Sequence, residues 1–247
     1  MKILVCINKT PDTTSKIAFK NNNTAFDDSG VQWIINPYDE WYSLVRAIEL
    51  KEKDPSIIIH LVTVGSADCD PIIRKAFALG GDEGFRINVD STDSSFIAAQ
   101  IADLAIKNQY DIVFTGKESI DYNSSAIGGI IAESIDAPYI SLATLFELNG
   151  NTATITREIE GGEEVAEVSL PLVVSCQKGM AEQRIPNMRG IMAARTKPLN
   201  VIEPIAQENF TSIINFELPP AKAGVKLVAA DNVAELIRLL HEEAKAF

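Results

Sequence analysis

A chain of 247 residues, 46% hydrophobic and 23% charged, suffices for one large α/β domain with a sizeable core, or for a domain plus an extension. Its formal net charge of −12 argues against nucleic-acid binding, although Arg184, Arg189, Arg195 and Lys197 form a local basic stretch. Cys6, Cys69 and Cys176 are odd in number and far apart, without metal-ligand spacing, and no apolar run approaches the length of a membrane span. Lys2 enters a strand with no signal-peptide pattern before it, so the expected compartment is the reducing cytoplasm.

Ile3–Ile7 is a short continuous apolar run, the pattern of a strand at the centre of a parallel sheet. Lys16–Phe26 is polar and predicts a small excursion or hairpin turning at Asn21-Asn22-Asn23. Asn36-Pro37-Tyr38-Asp39 opens a helix: Asn36 can cap it, Pro37 suits the first helical position, and Asp39 complements the positive end of the dipole. Leu44, Ala47, Ile48 and Lys51 keep helical spacing to Lys53, where Asp54-Pro55 stops it. Ile57–Val64 is an apolar strand closed by Gly65, and Pro71–Leu79 a short helix stopped by Gly80-Gly81. Gly84–Val89 reads as a strand, Ser95–Lys107 as an amphipathic helix, Asp111–Thr115 as a buried strand and Ser124–Ile135 as a helix. This alternation predicts a doubly wound parallel sheet.

A β-rich segment follows from Ile140 to Cys176. Thr152–Thr156 alternates toward a turn at Gly161-Gly162, and Val165–Ser175 returns as a Val-rich run interrupted by Pro171. Arg184–Gly190 then mixes apolar residues with arginines before a short helical run, Ile191–Arg195. Such a loop is either built to be touched by another protein or is a surface crossover with Ile185 and Met188 tucked inward. The Pro-rich stretch 196–222 reads as an extended arm, and Asp231–Ala246 as an amphipathic helix with Val233, Leu236, Leu239 and Leu240 on one side. The arm can pack on its own domain or embrace a partner.

In an open parallel sheet, ligands sit beyond the carboxyl ends of the strands where strand order reverses. Those ends carry Cys6–Thr10, Val64–Ser66 and Gly116–Ile127. Gly116 permits close approach, and Asn123-Ser124-Ser125 leads into a helix whose free N–H groups can hold a phosphate; the same residues also serve as ordinary helix caps. Gly116-Lys117-Glu118-Ser119 lacks the earlier glycine of a P-loop. His60 and His241 have no nucleophile motif nearby, and no Cys/His/Asp cluster suggests a metal, so catalytic residues are not expected. A pyrophosphatase or ligase would want a Ser/Gly-rich phosphate loop where Asn8-Lys9-Thr10-Pro11-Asp12 stands. A universal-stress-like nucleotide-binding module fits the first 135 residues and leaves Arg157–Arg195 unexplained.

Taken in order, Arg157-Glu158-Ile159-Glu160-Gly161-Gly162, the Leu170-Pro171 strand, and Arg184-Ile185-Pro186-Asn187-Met188 running into Ile191-Met192-Ala193-Ala194-Arg195 resemble the β subunit of electron-transferring flavoprotein (ETF). Asn36-Pro37-Tyr38-Asp39 and Gly116–Asp121 resemble that family's nucleotide motifs. The resemblance implies an adenine-nucleotide α-hydrolase-like α/β domain over residues 1–200, with a recognition loop at 176–198, and an arm plus helix over 201–247 packing on an α subunit. It implies AMP as a structural ligand of this subunit, with FAD held mainly by the α subunit. The implied AMP contacts are Cys6, Asn36, Pro37, Tyr38, Asp39, Val64, Gly116, Lys117, Asp121, Tyr122, Asn123, Ser124, Ser125, Ala126 and Ile127, the phosphate lying at Ser124–Ile127. The family's Gln-bearing stretch is replaced by Asn123-Ser124-Ser125-Ala126-Ile127-Gly128, so backbone N–H groups must do more there. The same departure weighs against a bifurcating ETF with a second FAD in this site. Tyr38 matches an aromatic wall near the flavin, whereas Thr13 stands where many relatives carry an aromatic. Glu158, Arg184, Ile185, Pro186, Met188, Ile191 and Met192 are implied in partner docking, with Met188 as the apolar anchor. The implied partners are the ETF α subunit, acyl-CoA dehydrogenase-type flavoenzymes of fatty acid oxidation, and an ETF-quinone oxidoreductase, with neither nucleic acid nor membrane insertion involved.

Overall fold

The computed structural model describes residues 1–37, 39–222 and 224–247. The apolar N-terminal run forms β1 (Lys2–Cys6). β2 (Lys9–Pro11), the hairpin of β3 (Phe19–Lys20) and β4 (Ala25–Phe26), and β5 (Trp33–Ile35) follow, β2 pairing antiparallel with β5. The hairpin turns where expected. Asn21, Asn22 and Asn23 take φ of 55°, 55° and 64°, a left-handed conformation that Asn tolerates better than most residues.

α1 (Glu40–Lys53) starts later than the sequence suggests. Asn36 does not cap it, because its amide nitrogen instead donates to the Glu118 carbonyl at 2.7 Å, and Pro37 lies in a turn ahead of the helix. Tyr38, expected in this approach, lies outside the described residues. β6 (Ile58–Val64), α2 (Asp70–Leu79), β7 (Glu83–Ile87) and α3 (Ser94–Asn108) then appear near their predicted positions. Asp93 caps α3, its Oδ1 accepting from the Phe96 N–H at 2.7 Å.

After β8 (Ile112–Gly116), α4 spans Ile127–Ser134, three residues short of the predicted start. Asn123 is left-handed (φ 53°) and its N–H is taken by the Ser119 carbonyl at 2.8 Å, so the serines stay in the loop. β9 (Tyr139–Asn149), β10 (Thr152–Ile159) and β11 (Gly162–Ser169) form an antiparallel meander. The Val-rich return is two strands, not one. Beyond the cis Leu170–Pro171 bond, β12 (Leu172–Cys176) leaves β11 and pairs in parallel with β8 and β9. α5 (Met188–Ala194) begins earlier than predicted, and the arm contains a strand, β13 (Leu199–Ile202), parallel to β7. The terminal helix is short: α6 (Val233–Arg238) runs into a π turn at Leu239–Glu243.

The main sheet has nine strands in the order β11-β10-β9-β12-β8-β1-β6-β7-β13 and is parallel from β9 to β13. The chain moves outward from β1 through β6 to β7, then returns to β8 on the other side of β1. Strand order therefore reverses between β1 and β8. Alternate residues of the central strands feed two layers. Ile3, Val5, Leu61 and Phe114 pack with Leu44, Phe77 and Phe146, while Leu4, Val62 and Val113 pack with Ile101, Leu104 and Ile131. Among the described residues, no helix is long and apolar enough to cross a membrane.

Phe114 and Phe146 meet edge to face, with ring centroids 5.2 Å apart, and both are fully buried. Phe114→Ala is expected to destabilise the domain by about 3–5 kcal/mol, the range for emptying a buried aromatic site; urea unfolding at fixed protein concentration measures it.

Candidate functional site

The carboxyl ends of β1, β6 and β8 open into a cleft of about 670 Å³. Two glycines make room for it. A Cβ on Gly116 would come within 2.9 Å of Asp39 Cβ and 3.0 Å of Glu40 Cγ, so only glycine lets α1 start against the end of β8. A Cβ on Gly128 would lie 2.9 Å from the Tyr139 hydroxyl and 3.0 Å from Thr115 Oγ1, which holds the first turn of α4 close to the sheet. One side of the cleft is apolar, with Val62, Val64, Ile97, Ile101 and Ile127; Asn8, Ser119, Ser124 and Ser125 line the other.

Glu40 sits buried where these elements converge, its carboxylate side chain accepting from the Asn8 N–H. Burial pushes its carboxyl up to about 8, only partly countered by that N–H. Burial also raises Asp39 to about 6 against the pull of Lys117. Asn8 donates to Ser119 Oγ at 3.2 Å, Ser119 donates to Asp121, and Ser94 and Ser124 share a hydrogen bond of 2.7 Å. The loop after β8 is thus tied to both β1 and α3. The lysines of the cleft are already engaged. Lys9 pairs with Asp68 and lies 4.2 Å over the Trp33 ring, and Lys117 sits 3.4 Å from Glu118.

Of the expected nucleotide contacts, Cys6, Val64, Gly116, Lys117, Asp121, Tyr122, Ser124, Ser125 and Ile127 line this cleft together. Asn36, Pro37, Asp39, Asn123 and Ala126 are not on its wall; Asn36 and Asp39 stand behind it, bracing the Glu118 backbone and Gly116. The Cys6 thiol is buried and pushed well above its usual range, which keeps it neutral. Sequence reasoning missed Glu40, although it directly follows the Asn36–Asp39 motif. It also missed Thr24–Phe26, Asn209, Thr211, Ser212, Ile213 and Phe216, which reach the cleft only through tertiary folding.

The second cluster of expected residues forms a ledge on α2. Arg184 spans the Glu52 carboxylate at 2.7 and 3.0 Å, Asn187 caps α5 by accepting from the Gly190 N–H at 2.8 Å, and Arg74 donates to the carbonyls of Ala194 and Lys197 at 2.8 and 2.6 Å. A side chain at Gly190 would collide with the Ala78 carbonyl oxygen. The ledge is rigidly held, yet its apolar residues point outward: Ile185 is 91% and Met188 73% exposed, with Ile191 and Met192 also exposed. The alternative in which Ile185 and Met188 tuck inward is overturned. Pro186 is half-buried, and Glu158 sits apart on β10, accepting from Gln177 Nε2 at 2.8 Å.

The Electron transfer flavoprotein domain family matches residues 23–207. Electron transfer flavoprotein subunit beta of Syntrophomonas wolfei is 40% identical over 245 residues, 96% of each chain. The Bacillus subtilis protein of that name is 35% identical over 260 residues, 99% of each chain, and the human one 32% over 247 residues, 96% of each. This chain belongs to the electron transfer flavoprotein β-subunit family.

The family is one of electron-transfer proteins, and a β subunit implies an α-subunit partner. The matched span takes in the loop after β8 and the ledge on α2. Where an adenine nucleotide is concerned, the donor set of the cleft fits: an apolar slot for a ring, hydroxyls and an amide for a sugar, and a helix start at Ile127 brought close by Gly128.

A carboxyl raised in the folded state takes up a proton on folding, so its contribution is complete below the unfolded value and fades as pH climbs through the folded one. For Glu40 that window runs from 4.5 to about 8. Stability is therefore expected to fall across it by up to about 1.4 kcal/mol per pH unit for the one proton involved. Glu40→Gln should flatten that slope between roughly pH 6 and 8, read from urea midpoints over a pH series. An unchanged slope would place the neutral carboxyl elsewhere.

Proposed function

We propose that this β subunit pairs with an FAD-carrying α subunit, holds AMP in the switch-point cleft, and docks acyl-CoA dehydrogenase-type flavoenzymes on the α2–α5 ledge, in electron transfer toward a quinone oxidoreductase. The observation that carries the reading is the cleft itself: nine of the expected nucleotide residues converge at the reversal of strand order, between Gly116 and Gly128. FAD supplies the redox chemistry when bound. The residues of this chain bind, shape and position. Val64, Ile97 and Ile127 offer apolar surface to a base, Asn8 and Ser119 offer hydrogen bonds, and the backbone around Ser124–Gly128 would meet a phosphate. A neutral Glu40 adds no negative charge of its own to the wall of the cleft.

The docking role rests on the ledge. Its tip presents Ile185 and Met188 to solvent on a base fastened by Arg184, Asn187 and Arg74, so little ordering remains to be done on binding. The residues beyond Phe216 would act as the arm reaching the α subunit; Val225 and Leu227 stand exposed along it. The three cysteines are free and buried, which supports a reducing cytoplasmic setting.

Co-expression with the α subunit, followed by acid release and chromatography of bound nucleotides, tests the assignment. One FAD and one AMP per heterodimer is the expected result. Two FAD without AMP would move the chain to the bifurcating class, and a flavin-free monomer that exchanges nucleotide would make it a stand-alone regulator. Met188→Ala, at an exposed site, is expected to leave folding intact and weaken dehydrogenase docking by about 1–3 kcal/mol. Steady-state kinetics with the dehydrogenase would show it as a raised KM for the flavoprotein; an unchanged KM would remove Met188 from the interface.

A further inference from the structure

The cleft has an outer wall that no nucleotide motif marks. Beyond β13, the buried Gln100 side chain grips Ile205, accepting from its N–H at 2.8 Å and donating to its carbonyl at 3.1 Å. The chain is then fastened beside the cap of α3. Asp93 Oδ2 accepts from the N–H groups of Phe210 and Thr211 at 3.0 and 2.7 Å and from the Thr211 hydroxyl at 2.7 Å, while Ser91 donates to Asn209 at 2.7 Å. At the far side, Phe216 donates its N–H to the Asn23 carbonyl at 2.8 Å and stacks on Phe19 with ring centroids 4.9 Å apart. Thr211, Ser212, Ile213 and Phe216 line the cleft between these fastenings. Among the described residues, Ser212–Asn215 make no hydrogen bond of their own.

We infer that residues 209–216 form a strap across the nucleotide cleft, hinged at Asp93 and latched at Phe19–Phe216, and that the latch must open before ligand can exchange. The asymmetry of the two ends decides which is which. The Asp93 end holds by several hydrogen bonds to a carboxylate that also caps α3, and bonds to charged groups are the stronger kind. The hairpin end holds by one backbone bond and one ring stack, so it opens first. A span fixed only at its ends swings as a unit once the weaker end is free. The chain leaves the latch directly into the arm, so a partner that grips the arm resists that swing. This inference rests on the nucleotide reading for its ligand, but not for the strap itself.

Cys6 and Cys69 are buried and line the same cleft as the strap, whereas Cys176 is buried and does not line it, so thiol alkylation reports opening independently of any ligand. The test is made in the αβ heterodimer, comparing the unaltered protein with Phe216→Ala and, separately, Phe19→Ala. N-ethylmaleimide incorporation at Cys69 is read by peptide mass spectrometry, and release of bound nucleotide by exchange against radiolabelled AMP. Both rates are expected to rise about fivefold to tenfold in either variant, in keeping with the loss of an aromatic stack, with Cys176 labelling unchanged. Unaltered Cys69 labelling in both variants would overturn the strap. Faster labelling with unaltered AMP exchange would overturn its gating role. If the heterodimer holds no adenine nucleotide and Cys69 still labels faster, the strap stands and the choice of ligand falls.

Discussion

The site depends on how closely the start of α1 can approach the end of β8. Gly116 has no side chain to hold them apart, and the approach buries the Glu40 carboxyl against the backbone of Asn8. A carboxylate placed there would lose most of its hydration, which the Asn8 N–H and the Asn36 side chain only partly offset, so the proton stays on over much of the physiological range. The same approach lets Asn36 reach across to the Glu118 carbonyl, which fixes where the loop after β8 begins. The ends of β1 and β8 and the loop between β8 and α4 are consequently held as one unit, and the cleft is what remains between that unit and α3.

Much of the fold was legible because its central strands are short apolar runs separated by well-marked helices. Ile3–Ile7, Ile57–Val64 and Asp111–Thr115 could hardly be anything but buried strands. Errors gathered where tertiary contacts outbid local preference. Asn36 is a good cap by residue type, but a carbonyl on another element claims its amide; Ser124 and Ser125 look like helix starters, but the left-handed Asn123 delays α4 to Ile127. The strand-end residues that line the cleft are legible from topology and the family resemblance. Glu40 was passed over because an acid in a first helical turn is ordinary, and only its burial distinguishes it. The strap carries no motif at all: Thr211 and Ser212 acquire their place through Asp93, more than a hundred positions earlier in the chain.

The ledge shows a different division of labour. Arg184 to Glu52 and Arg74 to the Ala194 and Lys197 carbonyls tie it down, Asn187 caps its helix, and Ile185, Met188, Ile191 and Met192 face out. Such an arrangement costs some solvation of Ile185 and Met188 in the free protein, and leaves a preformed shape for an incoming surface. Gly190 is what permits it, since any side chain there would lift α5 off the Ala78 carbonyl.

At one margin of the main sheet, β11 leaves a row of backbone groups without a neighbouring strand. Open margins of this kind invite a second molecule to add its own strand, and so on without limit. Here Glu163, Glu164 and Glu167 crowd the exposed strand, in a chain already carrying a net charge of −12. Two copies meeting along that margin would bring like carboxylates face to face. The carboxylates of β11 therefore guard the open margin against self-pairing.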